Sequence, residues 1–305
     1  MVYGMQLPVQ SQSSMYAEAW EKDAGPEELV EIARVADRTG FAYIACCDHV
    51  AIPRRLAEAM STTWYDPVAT LAHLAAVTEN VRLMSHVAIV GLRHPLLSAK
   101  QYATLDRLSG GRLILGVGAG HVREEFEALG VDFARRGPIL DEAIDALRAA
   151  LGTEEYPEYT GETVAFKDLG QLPRPAQTRV PLWVGGSSPA AVRRAATRAD
   201  GWLPQGDPRD KLPEQIARLK RLREEAGIAE PVTVGAITEP LYVGEPAWSV
   251  GRRTLAGKPD ALAESLRAYA AMGVDQIQVR FRSRGRGELT DQMAAFAADV
   301  APHLN

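Results

Sequence analysis

Cysteine is nearly absent from this chain of 305 residues: only Cys46 and Cys47 carry thiols, and they are neighbours. They lie in a strand-like run, where adjacent side chains leave opposite faces, so a bond between them does not suit disulfide geometry. The expectation is a pair of reduced structural cysteines in a cytoplasmic protein. No apolar run reaches the length of a bilayer span, and Met1 to Gln6 lack the charged-then-apolar layout of a signal peptide. Positive charge has no excess: 34 Lys and Arg stand against 39 Asp and Glu, a net charge of −5. With no basic arm or aromatic-basic face, neither nucleic acid nor membrane is expected as a partner. Several catalytic signatures are missing as well. No G-x-G-x-x-G follows the first strand-like segment, and G-x-S-x-G, H-E-x-x-H and a tight His-x-His pair do not occur.

What is present is ordinary globular composition, 46% hydrophobic and 24% charged, enough for one large α/β barrel or two domains. The chain turns on the stretch from Pro181 to Val192. Leu182, Trp183 and Val184 form a short apolar run suited to a buried strand. Gly185 and Gly186 permit a tight turn and close approach of a ligand. Ser188 is a good N-cap and Pro189 a good first helical residue. A helix N-terminus behind two glycines and two hydroxyls suits an anion, most often phosphate. An ordinary βα turn would read the same way.

The remainder alternates between apolar strands and amphipathic helices. Strands are expected over 4–9, 41–47, 81–90, 112–117, 182–184, 201–203, 232–238 and 276–281. Helices are expected to open at Pro26, Pro67, Pro95, Pro138, Pro189, Asp210, Pro259 and Leu289, with Gly40, Gly227 and Gly273 closing three of them. Eight strands in this rhythm predict an α/β fold: a single (β/α)8 TIM barrel over 1–305, with an insertion at about 152–179 between strands 4 and 5. A doubly wound sheet would place its nucleotide glycines after the first strand, and they are not there.

In such a barrel the active site lies at the C-terminal strand ends, and polar residues gather there. Asp48 and His49 follow the second strand, Ser85 and His86 interrupt the third, Gly118, Gly120 and His121 follow the fourth, and Gly185 to Ser188 follow the fifth. Each has a bland reading, His86 as a satisfied core histidine and Asp48 as a loop cap; their joint placement argues for a site. A metal-dependent barrel hydrolase using Asp48, His49, His86 and His121 is the rival, and no metal ligands are assigned here. A barrel that has lost its cofactor and serves as a subunit is the second rival.

The motifs Asp48-His49, Arg93-His94-Pro95, Leu105-Asp106-Arg107-Leu108-Ser109-Gly110-Gly111-Arg112-Leu113, Leu115-Gly116-Val117-Gly118, Glu125-Phe126 and Trp183 to Pro189 occur in this order. On these, the chain resembles the bacterial luciferase-like flavin monooxygenases, in particular the branch of oxidoreductases dependent on the deazaflavin coenzyme F420. The resemblance implies that Gly185, Gly186, Ser187 and Ser188 hold the cofactor phosphate. It places a bulge with a non-proline cis peptide at about Ser85-His86-Val87 against the ring system, with Asp48, His49, Gly118 and Gly120 also on the cofactor. It implies hydride transfer between F420 and a small organic substrate, with His49 or His121 as proton partner. With FMN in place of F420, it implies a monooxygenase served by a separate reductase. His121 stands where some members carry a glutamate and others an aromatic. Pro53 stands where a sugar-phosphate-oxidising branch has tryptophan, so that branch's substrate is not carried over. A homodimer is the family habit. The segment 51–65 and the insertion are the expected lids.

Overall fold

The computed structural model describes every residue except Met15, Asp207 and Asn305. Among the described residues, eight parallel strands close into a barrel in chain order: β1 (Val2–Gln6), β2 (Tyr43–Cys46), β3 (Arg82–Ser85), β4 (Leu113–Val117), β5 (Leu182–Gly185), β6 (Gly201–Leu203), β7 (Thr233–Ile237) and β8 (Gln276–Val279). The ring is sealed where Val2 pairs with Gln276. The surrounding helices are α1 (Pro26–Arg38), α2 (Pro67–Ala75), α3 (Pro95–Leu108), α4 (Arg136–Ala150), α5 (Pro189–Arg198), α6 (Leu212–Glu225), α7 (Pro259–Ala271) and α8 (Arg286–Ala295).

Strands buried on both faces read as continuous apolar runs, and the packing shows why. Tyr43, Ala45, Met84, Ile114, Trp183 and Leu203 fill the barrel interior as one cluster. Their sequence neighbours Ile44, Leu83, Leu113, Leu182 and Trp202 belong instead to the larger core, on the faces covered by helices. The large interior side chains need small partners. A Cβ on Gly4 would overlap the Tyr43 ring, one on Gly201 the Trp183 ring, and one on Gly116 the Ser85 carbonyl.

Helix starts follow their caps. Asp66 accepts from the Ala69 N–H at 2.9 Å and Ser188 from the Ala191 N–H at 3.2 Å, each followed by proline. At the N-terminal face of the barrel, Arg112 donates to the carbonyls of Ser109, Val81, Ala75 and Thr78 and to the Thr78 hydroxyl, all within 3.0 Å. Fully buried Asp106 accepts from the backbone of Leu113, Ala176 and Gln177. These two residues of the longest motif therefore tie helix, strand and the end of the 152–179 segment together, far from the mouth. That segment carries a small antiparallel pair, Tyr159–Thr160 with Ala165–Phe166.

Two strands end earlier than their hydrophobicity suggests. β1 stops at Gln6, and β3 stops at Ser85, where the chain leaves the ladder instead of continuing to residue 90. A short parallel pair, Leu241–Val243 with Leu255–Gly257, was not foreseen.

The interior packing predicts opposite outcomes for two glycines. Gly116→Ala should destabilise by about 1–3 kcal/mol through overpacking. Gly287→Ala, in the first turn of α8 with nothing near its Cβ, should stabilise by about 0.5–1 kcal/mol through the unfolded chain. Urea unfolding of both variants checks the pair.

Candidate active site

The mouth is assembled from β2 outward. Asp48 follows β2 and is 4% exposed. Its carboxylate accepts the Ile89 N–H at 2.8 Å and a two-pronged pair from Arg93, at 2.6 and 2.8 Å. Both oxygens are thus occupied, and the end of β2 is fastened to the segment beyond β3. The chain between them bulges at the mouth. The His86 N–H still donates to the Cys46 carbonyl at 2.7 Å, and the Ala88 N–H to the Gly116 carbonyl at 2.8 Å. Between them the His86–Val87 peptide is cis, at the place the family resemblance implied. Ser85 does not reach the mouth with its hydroxyl. It exchanges hydrogen bonds with the Gly116 carbonyl and N–H, at 2.8 and 3.0 Å, and locks β3 to β4.

Val87 forms the back of the bulge. A Cβ on Gly118 or Gly185 would overlap its methyl groups, so those two glycines make room for Val87. Gly120 and Gly186 differ, since their φ values of +72° and +98° are the left-handed region that glycine tolerates. A Cβ on Gly186 would meet only Ala191, at 3.5 Å, which leaves the turn open. Ser187 exchanges hydrogen bonds with the backbone of Gln205, and Ser188 caps α5. The positive end of α5 therefore lies behind an uncrowded glycine turn.

Buried His86 and partly buried His49 have different surroundings. His86 is 4% exposed, with its Nε2 2.8 Å from the Gln205 amide and its Nδ1 3.3 Å from the Gln278 amide. No charged partner offsets its desolvation, and burial pushes its pKa down to about 4. A neutral imidazole carries one donor and one acceptor, so one glutamine must present its oxygen. Gln278, whose Oε1 is otherwise buried without a partner, can supply it. His49 instead meets a carboxylate: its Nδ1 is 2.8 Å from Glu125 Oε2. Glu125 stands on the short helix Arg123–Ala128, with its side chain wholly buried. Its Oε1 accepts the Val50 and Ala51 N–H groups at 2.7 and 3.2 Å. Burial alone would raise the Glu125 pKa; the bonds from His49 and the two amides outweigh it and hold the group below the usual carboxylate range.

Around His49 the rings of Trp64 and His121 stand edge to face, with centroids 4.5 and 5.3 Å away. His121 is exposed on its outer side. Burial of its inner side and the nearby His49 lower its pKa, with Glu125 acting in the opposite sense. A cavity of about 560 Å3 opens at the same end of the barrel, beyond β6 and β7, between Pro204, Arg209, Thr238, Glu239 and Tyr269. It adjoins Gln205, which already joins His86 to Ser187.

The model of the luciferase-like monooxygenase family matches residues 1–250. The chain belongs to this family. Within the luciferase-like proteins, it is 37% identical over 224 residues to an uncharacterized protein of Mycobacterium tuberculosis, covering 68% of this chain and 76% of the relative. It is 28% identical over 231 residues to the 5,10-methylenetetrahydromethanopterin reductase of Methanopyrus kandleri, covering 71% of this chain and 62% of the reductase. Its fold is shared with an F420-dependent secondary alcohol dehydrogenase solved with an F420–acetone adduct, at TM-score 0.79 and 15% identity over 100% of this chain and 99% of the other. Like other luciferase-like proteins it is an oxidoreductase or monooxygenase. No helix among the described residues is long and apolar enough to cross a membrane. Among the same residues, no three His, Cys, Asp or Glu side chains converge as a metal-binding group.

Sequence reasoning named Asp48, His49, His86 and His121 but gave no role to the residues that set their state: Glu125, Gln205, Gln278, Arg93 and Trp64. Gln278 carried a signal, being a glutamine inside an apolar strand. Glu125 carried little, because Glu124 and Glu125 together look like a solvated helix face.

The neutral state of His86 has a consequence for acid stability. Its pKa is below that of an unfolded histidine, so between pH 6.5 and 4 the unfolded chain takes up a proton that the folded one refuses. Folding should lose about 3 kcal/mol over that window. His86→Gln should flatten this part of the stability–pH curve; an unchanged slope in denaturant titrations would contradict it.

Proposed function

We propose that this luciferase-like protein transfers hydride between coenzyme F420 and a small organic substrate, with His49 as the proton partner. The reading is carried by one observation: a histidine held by a buried carboxylate stands at the same barrel end as an uncrowded glycine–serine turn at a helix N-terminus. The residues present fit such a cofactor. Gly186 leaves space, the start of α5 supplies N–H groups, and the Ser188 hydroxyl, which accepts at the cap, keeps its proton to donate, which is donor chemistry for a phosphate; Ser187 would have to release the Gln205 carbonyl to join it. Val87, seated on Gly118 and Gly185, supplies an apolar side chain at the bulge. Neutral His86, with its ring nitrogens on Gln205 and Gln278, supports the bulge without adding charge.

When bound, the deazaflavin supplies or accepts the hydride. The chain supplies the rest. Asp48 and Arg93 hold the bulge in place. His49 gives a proton to a developing alkoxide or amide nitrogen, or takes one from an alcohol in the reverse direction. Glu125 stabilises the charged imidazole in that exchange. Trp64, on the segment 51–65, and the residues around the cavity exclude water and shape the substrate. Asp48, with both oxygens engaged, acts by support rather than by touching the ring. A homodimer and a partner that regenerates reduced cofactor are part of the same proposal, resting on family habit.

Fluorescence titration of the purified chain with F420 and with FMN tests the reading. Tight F420 binding with weak FMN binding is expected. Tight FMN binding alone would replace hydride transfer with oxygenation served by a reductase, and binding of neither would remove the cofactor reading. A kinetic check accompanies it. His49→Ala should lower turnover by about 10²–10⁴-fold while melting within about 4 °C of the parent, because Glu125 keeps two backbone donors. Equal loss of folding and activity would sink the role given to His49.

A further inference from the structure

We infer that Glu125 is a positioning residue that holds the His49 proton on Nδ1 and so makes His49 Nε2 the atom that exchanges a proton with the substrate. This rests on the reading of His49 as proton partner. The geometry is specific. An ionised carboxylate can only accept hydrogen bonds, and Glu125 has two acceptor atoms with separate tasks. Oε1 takes the Val50 and Ala51 N–H groups, at 2.7 and 3.2 Å, which fixes the backbone that follows His49. Oε2 takes His49 at 2.8 Å. The proton of neutral His49 must therefore sit on Nδ1, leaving the lone pair on Nε2.

The remaining neighbours reinforce this arrangement. Trp64 and His121 meet the His49 ring edge to face, so neither forms a rival in-plane hydrogen bond. The charged groups facing His49 are Glu125 and, when protonated, His121. Burial and the nearby His49 lower the pKa of His121, and Glu125 acts on it in the opposite sense. Glu124, the adjacent acid, is excluded from the task, since it forms an exposed two-pronged pair with Arg55 at 2.5 and 2.9 Å. Of two neighbouring glutamates, only the buried one addresses the histidine.

Glu125→Gln tests the inference with little change of shape. The glutamine oxygen has to remain on the Val50 and Ala51 N–H groups, so the amide NH2 faces His49 Nδ1 and the proton must move to Nε2. Long-range ¹H–¹⁵N spectra of ¹⁵N-histidine-labelled protein report the tautomer directly, with His49→Asn identifying the signals. The parent should show Nδ1–H and a bare Nε2, and Glu125→Gln the reverse. In any reaction the parent turns over, the same variant should lose about 10³-fold in kcat with KM little changed, by the logic of a histidine held in the wrong tautomer. A parent already protonated on Nε2, an unchanged tautomer in the variant, or a loss confined to KM would overturn the inference. A tautomer switch in a chain that binds neither F420 nor FMN would support the hold of Glu125 on His49 and reject the oxidoreductase reading instead.

Discussion

The mouth of the barrel depends on the carboxylate of Asp48. It is almost fully buried and faces three donors, the Ile89 N–H and two guanidinium nitrogens of Arg93. A buried carboxylate is costly unless it is fully paired, so the ends of β2 and β3 are held in one relative position. That position sets the rest. His49 is the next residue along the chain. Ile89 packs with Phe126 in one small cluster, and a Cβ at Gly120 would crowd both of them. Phe126 is adjacent to Glu125, which returns to His49. The loop of contacts closes on itself through three strands.

Within this frame, charge is distributed by partner rather than by depth. His86 is buried and His49 partly so, yet one meets only amides and the other a carboxylate. Desolvation alone drives His86 to the neutral form. The same effect at Glu125 is overcome by its three donors. Two histidines at neighbouring strand ends are thus assigned different jobs by their environments, one as a fixed hydrogen-bonding group and one as a group able to change charge.

The fold was legible because its determinants are local. Proline at the first helical turn, glycine after the last, and apolar runs of strand length mark the elements, and the eightfold alternation leaves few closed solutions. The failures come from tertiary effects. β3 was read to residue 90 because Val87, Ile89 and Val90 are apolar, but the bulge takes the chain out of the ladder at Ser85. The pair Leu241–Val243 and Leu255–Gly257 has three residues a side and is parallel, so no hairpin turn marks it. The longest motif, around Asp106 and Arg112, identified the family while its buried polar atoms fasten the opposite end of the barrel. Gly185 was read as letting a ligand come close and Gly118 as lying on the cofactor, and both seat Val87. Glu125 was invisible in role because a carboxylate's burial depends on which strand loop folds over it, and the loop after β2 is distant in sequence.

The division between frame and loops also bears on substrate choice. The Asp48–Arg93 pair, the Ser85–Gly116 lock and the Val87 seat are all formed among strand ends, so they can hold a ring of constant shape. The groups that would touch a variable substrate lie outside that frame. Trp64 comes from the segment after β2, which is further fastened by the exposed Arg55–Glu124 pair. The cavity beyond β6 and β7 is walled by Arg209, Glu239 and Tyr269, with Tyr269 donating to Glu239 at 2.8 Å and the Arg209 guanidinium 4.1 Å above its ring. Changes around Trp64 would alter what fits beside His49 while Glu125 keeps its bonds to His49, Val50 and Ala51.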